Sequence, residues 1–378
     1  MQPRYNFRGI AANDSPFRGT SREIGHMATV DEALVAAGLN WNVARRPYQI
    51  VGNTGVKDSR FKALVRSDTG YEIAPCSTTY TPIQNRALMG AFFQAAGDAG
   101  VKLTRAGSLY GGARVYAVAE MPASFSLSVT PAWSEAMRRN PDHAWIAEDK
   151  TVLQIVMSTG HEPGQKARFS AQAYRLVCSN GARITEVLGT VAIAHRGNTA
   201  RARLFEVGEA INQAVSQFQA YQRKAEILHA TRSTPELDRA YVVNLLAPEL
   251  WAAVVAETEA QVHGAHPGRL TGTDLLNAVI ERTYTARFEA ALQTRSVAAV
   301  LDAIQTQPGA GMAAGTLWST YNGVTYQVDH RAGRNLDAAV ESSLYGVGDR
   351  LKVRALDLAL DYAEAAGARG VVNGQVVN

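Results

Sequence analysis

Residues 151–178 read TVLQIVMSTGHEPGQKARFSAQAYRLVC, two β-rich runs (151–158 and 167–178) on either side of the turn GHEPGQK. In the second run Arg168, Ser170, Gln172 and Tyr174 alternate with Phe169, Ala171 and Ala173. Side chains alternate faces along a strand, so one face is polar and the other apolar, the pattern of an antiparallel sheet that packs on one side. Upstream, 101–106 and 114–121 flank the turn glycines Gly111 and Gly112 and read as a hairpin. Between the early strands and that hairpin, Leu88, Phe92 and Ala96 recur every four residues and predict a helix over 85–99. A helix on a mostly antiparallel sheet predicts an α+β fold for this half, with β-rich runs at 48–52 and 61–66 leading into it.

The flanks divide the chain further. Residues 1–28 are polar, rich in Gly, Ser, Asn and Arg, and without apolar periodicity, so they read as a flexible arm. Thr29 with Glu32 three positions on forms a capping box for a short helix. The second half is helical. RLFEVGEAINQAVSQFQAYQRKAEILHA (203–230) carries Leu204, Val207, Ile211, Val215, Phe218 and Ile227 on one stripe, and Pro235, Pro248 and Pro267 punctuate shorter helices. The expected organisation is an arm (1–28), an α+β core with basic strands (29–205), a helical region (206–305) and a C-terminal helical segment with a tail (306–378). Residues 316–330 satisfy two readings: Asn322-Gly323 signals a type I′ hairpin, while Leu317, Tyr321, Val324 and Val328 keep helical spacing.

Charge concentrates around the same deciding stretch. The chain carries 38 Lys and Arg against 34 Asp and Glu, a net +4. Residues 160–203 hold Lys166, Arg168, Arg175, Arg183, Arg196, Arg201 and Arg203 against Glu162 and Glu186 alone, more than the whole net excess. Cations at this density neutralise phosphates, and an aromatic ring among them can stack on an unpaired base. These seven residues with Tyr174 are therefore the candidate nucleic-acid contacts, and the competing reading is a plain solvated face. His161 and Glu162, at the turn beside them, form a possible polar site; neighbours at a strand turn point apart, which disfavours an acid–base pair.

Other chemistry finds little purchase. The phosphate loop GxxxxGK[ST] is absent, and the eight histidines form no HExxH; His263 and His266 lie in a Gly/Pro loop without a nearby carboxylate or thiolate. Cys76 and Cys178 have neither metal spacing nor a disulfide framework, which fits a reducing compartment. No apolar run approaches the roughly 20 residues that span a bilayer, and the first 30 residues lack a secretory core. The sequence thus points to a non-catalytic, cytoplasmic protein without cofactor or metal, whose partner is nucleic acid. The alternatives are an enzyme acting on nucleotides or nucleic acid, and an interaction protein that sequesters a host factor.

Five segments carry a resemblance: EALVAAGLNWNV (32–43), YTPIQNRAL (80–88), AGSLYGGARVYAVAEMP (106–122), STGHEPGQKARFSAQAYRLVCSNGARI (158–184) and TLWSTYNGVTYQVDH (316–330). In this order they resemble a phage- and plasmid-like protein family, domain of unknown function 932. Two positions depart from its pattern: SREIGHM (21–27) stands where the family has a Trp-His-Gly turn, and Gly323 where it tends to have Ala. The second departure implies a helix for 316–330. The resemblance implies a mobile-element origin and a bacterial host cytoplasm, and brings no catalytic residue with it. Elements of that kind pass through single-stranded DNA and encode annealing proteins that assemble into rings or helical filaments, so the resemblance implies by analogy strand annealing, single-stranded DNA as the partner and self-association.

Overall fold

The computed structural model describes residues 17, 19–25, 29–98, 100–139, 148–165, 167–176, 180–183, 199–265, 286–330, 335–366, 371–372 and 375–376. The alternating stretch becomes β7 (Asp149–Gly160) and β8 (Arg168–Arg175), paired antiparallel with Ser158 opposite Arg168 and Thr151 opposite Arg175. They sit in a six-stranded sheet with β1 (Ser21–Glu23), β5 (Lys102–Leu109), β6 (Arg114–Leu127) and β9 (Asn180–Arg183), in the order β1-β5-β6-β7-β8-β9, every neighbour antiparallel. The hairpin predicted at Gly111-Gly112 is the β5–β6 connection. Its backbone is left-handed at Tyr110 (φ 52°), Gly111 (64°) and Gly112 (109°), and a Cβ on Gly112 would meet the Trp41 ring at 2.8 Å.

The apolar face of the sheet carries Leu153, Ile155, Met157, Phe169, Ala171 and Ala173, all buried. Two helices cover it, α2 (Asn85–Asp98) and α4 (Thr199–Ala230). The Phe92 ring lies 5.8 Å from that of Phe169, and the Phe125 ring 5.3 Å from that of Phe218. Part of the opposite face is closed by Phe17 and by α10 (Leu336–Tyr345), whose Val340 and Leu344 pack on Leu109, Tyr116, Val118 and Val156. Phe17 stacks on Tyr116 at 5.4 Å, and burial pushes the Tyr116 phenol up to about 12. The segment read as an arm is therefore corrected over residues 17 and 19–25. Pairing of Ser21–Glu23 with β5 supplies order that no local periodicity signals.

A second, smaller sheet has the order β2-β3-β4, from β2 (Val43–Gly52), β3 (Gly55–Arg66) and β4 (Glu72–Ser77). It joins the main core through Val43, Leu64 and Cys76. The capping box forms as expected on α1 (Val30–Ala37), which ends at Gly38 in the left-handed region (φ 69°).

The helical half contains α5 (Pro235–Leu246), α6 (Pro248–Ala265), α7 (Ala286–Leu292), α8 (Arg295–Thr306), α9 (Leu317–His330) and α11 (Val347–Ala365), with α3 (Pro131–Arg138) against the turn at Ala310–Ala313. Residues 316–330 are thus helical. Leu317 to Thr325 of α9 are buried all round, so no polar face exists to fix the period. Gly323 is a contact residue: a Cβ there would come within 2.9 Å of the Ile304 backbone of α8. One apolar core runs from Ile24 through the sheet to Ala363, and the boundary expected at 205 falls inside α4.

Candidate nucleic-acid interface

Among the described residues the β2–β3 hairpin is exposed over a long continuous run, from Gln49 to Asp58. Its base is held by burial of Val43, Ala63 and Leu64 and by Arg45, whose guanidinium donates to the carbonyls of Thr78 (2.8 Å) and Tyr80 (3.0 Å). Arg66 closes the other side: it pairs with Asp68 at 2.8 Å, donates to Gly111 O at 2.9 Å and lies 4.4 Å from the Trp41 ring. That pairing holds the Asp68 carboxyl below the usual aspartate range.

Beyond this base the two strands leave the body. β4 pairs with Phe61–Val65 only, and every residue from 49 to 58 is exposed. The register places Gln49 opposite Asp58, Ile50 opposite Lys57, Val51 opposite Val56 and Gly52 opposite Gly55, with Asn53 and Thr54 at the apex. Gly55 (φ 109°) supplies the left-handed residue that closes the turn. A bulge follows Pro47, which has no N–H to give and is tolerated in an edge strand.

Residues 43–66 hold six cations, Arg45, Arg46, Lys57, Arg60, Lys62 and Arg66, against Asp58. Arg45 and Arg66 hold the base, whereas Arg46, Lys57, Arg60 and Lys62 make no ion pair among the described residues. Two exposed rings accompany them: Phe61 is 44% exposed with Arg60 5.1 Å from its centroid, and Tyr71 is 52% exposed. The strands are legible as β-rich runs at 48–52 and 61–66, whereas their charge was missed. Six cations against one anion on either side of the turn glycines Gly52 and Gly55 was the available signal.

The residues singled out from sequence fare differently. Arg168 is exposed at the start of β8, sharing a face with Ser170, Gln172 and the half-buried Tyr174. On that face Gln172 donates to Gln154 at 3.1 Å, both buried. Arg175 is corrected. It lies on the apolar parity of β8, 3% exposed, with Nε 2.5 Å and Nη2 2.8 Å from the two carboxylate oxygens of Asp149. Trp318 Nε1 donates to the same carboxylate at 2.9 Å, so this arginine cannot present itself to a phosphate. Arg183 (opposite Gln172 in β9) and Arg201 and Arg203 (in α4) are placed by backbone alone. Lys166 and Arg196 lie outside the described residues, as does Cys178.

His161 and Glu162 point apart. The imidazole is fully buried, its Nε2 2.9 Å from Asn85 Oδ1 and its ring 5.6 Å edge-on from Trp41, which removes it from contact with a phosphate. Tyr80 donates its hydroxyl to the His161 carbonyl at 2.8 Å, and burial raises that phenol above its ordinary value. Glu162 turns to Arg114, which also reaches Glu341 of α10 at 3.4 Å. The segments 80–88, 106–122 and 158–184 thus meet in one buried polar joint that fixes the body beneath the hairpin. Burial also raises the Cys76 thiol, against an opposing effect of Arg45. Among the described residues no group of three His, Cys, Asp or Glu side chains is placed to hold a metal, and no helix is long and apolar enough to cross a membrane.

A family model described as domain of unknown function (DUF932) matches residues 73–355. No curated protein matches the chain, and no solved structure does. The hairpin at 43–66 precedes the matched residues.

Proposed function

As the chain belongs to the family of the domain of unknown function DUF932, a membership that names no chemistry, we propose its function from its surface: a non-catalytic protein that binds single-stranded DNA, of the kind that anneals strands. The observation that carries this reading is the β2–β3 hairpin, with Arg46, Lys57 and Arg60 exposed, Lys62 half-exposed and the Phe61 ring uncovered, and with the exposed Tyr71 ring in the β3–β4 turn near its base. A single strand offers phosphates and unpaired base faces, and cations interleaved with rings meet both. Arg168 adds a further exposed cation on the main sheet. The net +4 is small, so attraction comes from local clustering rather than from the field of the whole molecule.

The test is fluorescence anisotropy with labelled single-stranded oligonucleotides across a salt series. Each phosphate neutralised on a single strand contributes about −0.7 to the slope of log affinity against log salt, so four contacts give about −2.8. Lys57→Glu with Arg60→Glu should weaken binding at least about tenfold and make the slope shallower by about 1.4. A flat salt dependence, or a double variant that binds like the parent, overturns the reading.

A further inference from the structure

The hairpin's apex differs from its shaft. Residues 50–56, Ile-Val-Gly-Asn-Thr-Gly-Val, carry no charge, and cations bracket them on both strands. Ile50, Val51 and Val56 are 61%, 80% and 59% exposed on a ribbon that no other element covers among the described residues. Exposed β-branched residues on a free ribbon invite association, and the flanking charge says with what. A cationic shaft selects a polyanion, while Asn53 and Thr54 at the apex carry the hydrogen-bonding groups that read base edges.

Resting on the DNA-binding reading, we propose that this ribbon inserts into the major groove of duplex DNA, so that the protein holds paired as well as unpaired strands. Dimensions favour it. Paired strands lie about 4.8 Å apart, and the free part from Gln49 to Gly52 reaches roughly 13 Å. The major groove is about 12 Å wide and 8.5 Å deep and admits a two-stranded ribbon. In that position Lys57 and Arg60 meet the flanking phosphates, and the aliphatic side chains meet thymine methyls and sugars. The alternative occupant with the same charge, an anionic membrane, fits less well. The polar Gly-Asn-Thr-Gly apex would enter the acyl boundary first, and the tip lacks the Trp, Phe and Leu that anchor interfacial segments.

The experiment compares the parent with Val51→Ser/Asn53→Ala/Val56→Ser, exposed positions at the far end of the hairpin from the core, against a single strand and its duplex. Dimethyl sulfate footprinting of guanine N7, an atom of the major groove, accompanies the binding curves. The parent should protect N7. The triple variant should lose that protection and at least about tenfold in duplex affinity, while single-strand affinity changes less than about twofold. Duplex binding by the parent without N7 protection, or a triple variant that binds and protects like the parent, overturns the inference. If the parent binds single strands and ignores duplex, the inference falls and the single-strand reading stands. Binding to anionic phosphatidylserine vesicles with neither DNA form bound overturns both.

Discussion

Arg175 shows how one side chain can reverse its expected role. Its guanidinium meets both oxygens of Asp149, itself fully buried, and Trp318 adds a third hydrogen bond to the same carboxylate. Strand β7, strand β8 and helix α9 therefore share one charged joint. Removing one partner of such a pair strands the other charge in the core, at about 3–5 kcal/mol. Arg175→Ala should lower stability to urea by that amount while leaving the salt slope of DNA binding unchanged under conditions where the variant is folded. A loss below about 1 kcal/mol, or a shallower slope, would refute the structural role. The parity was readable beforehand, since Arg175 follows Phe169, Ala171 and Ala173 at even spacing. The partner was not, because Asp149 lies 26 positions away and nothing local joins them.

At the scale of elements, α9 and the β2–β3 hairpin each invert a local signal. Asn322-Gly323 ordinarily marks a turn, yet here the glycine lets α8 approach, with Ile304 against the space a Cβ would fill. Ala is the better helix former by about 1 kcal/mol, but overpacking costs about 1–3 kcal/mol. Gly323→Ala should therefore lower the melting temperature, and a rise would show that α8 yields. Helix-averse composition in a buried helix is legible only once the neighbour is known. The hairpin presents the reverse case: its strands follow from β-rich runs and turn glycines, whereas its freedom from the body depends on where β4 stops pairing. Alternation cannot report that, because a free ribbon and a covered one have the same period.

Across the described residues one large apolar core joins the sheet to the helical half, from Ile24 to Ala363, and a second cluster packs Val340 and Leu344 on the sheet's other face. A second buried pair, Lys352 Nζ to Asp329 at 2.8 Å, ties α11 to α9. Shared burial of this kind couples the halves, so unfolding should be one transition, with near- and far-ultraviolet circular dichroism giving the same midpoint. Two separated midpoints would show that the halves fold as independent domains. The sequence by itself determined the α+β class, the sheet hairpins, the α1 cap, the long helix α4 and the family, because these rest on periodicity, turn residues and motif order within short windows. It also determined that cations cluster. Only the tertiary structure decided which side chains face solvent: Arg175 turned inward to Asp149 and His161 to Asn85, Arg45 and Arg66 turned to the hairpin base, and Arg46, Lys57 and Arg60 stood exposed. Burial depends on what packs against a residue from distant parts of the chain, and that is a property of the fold.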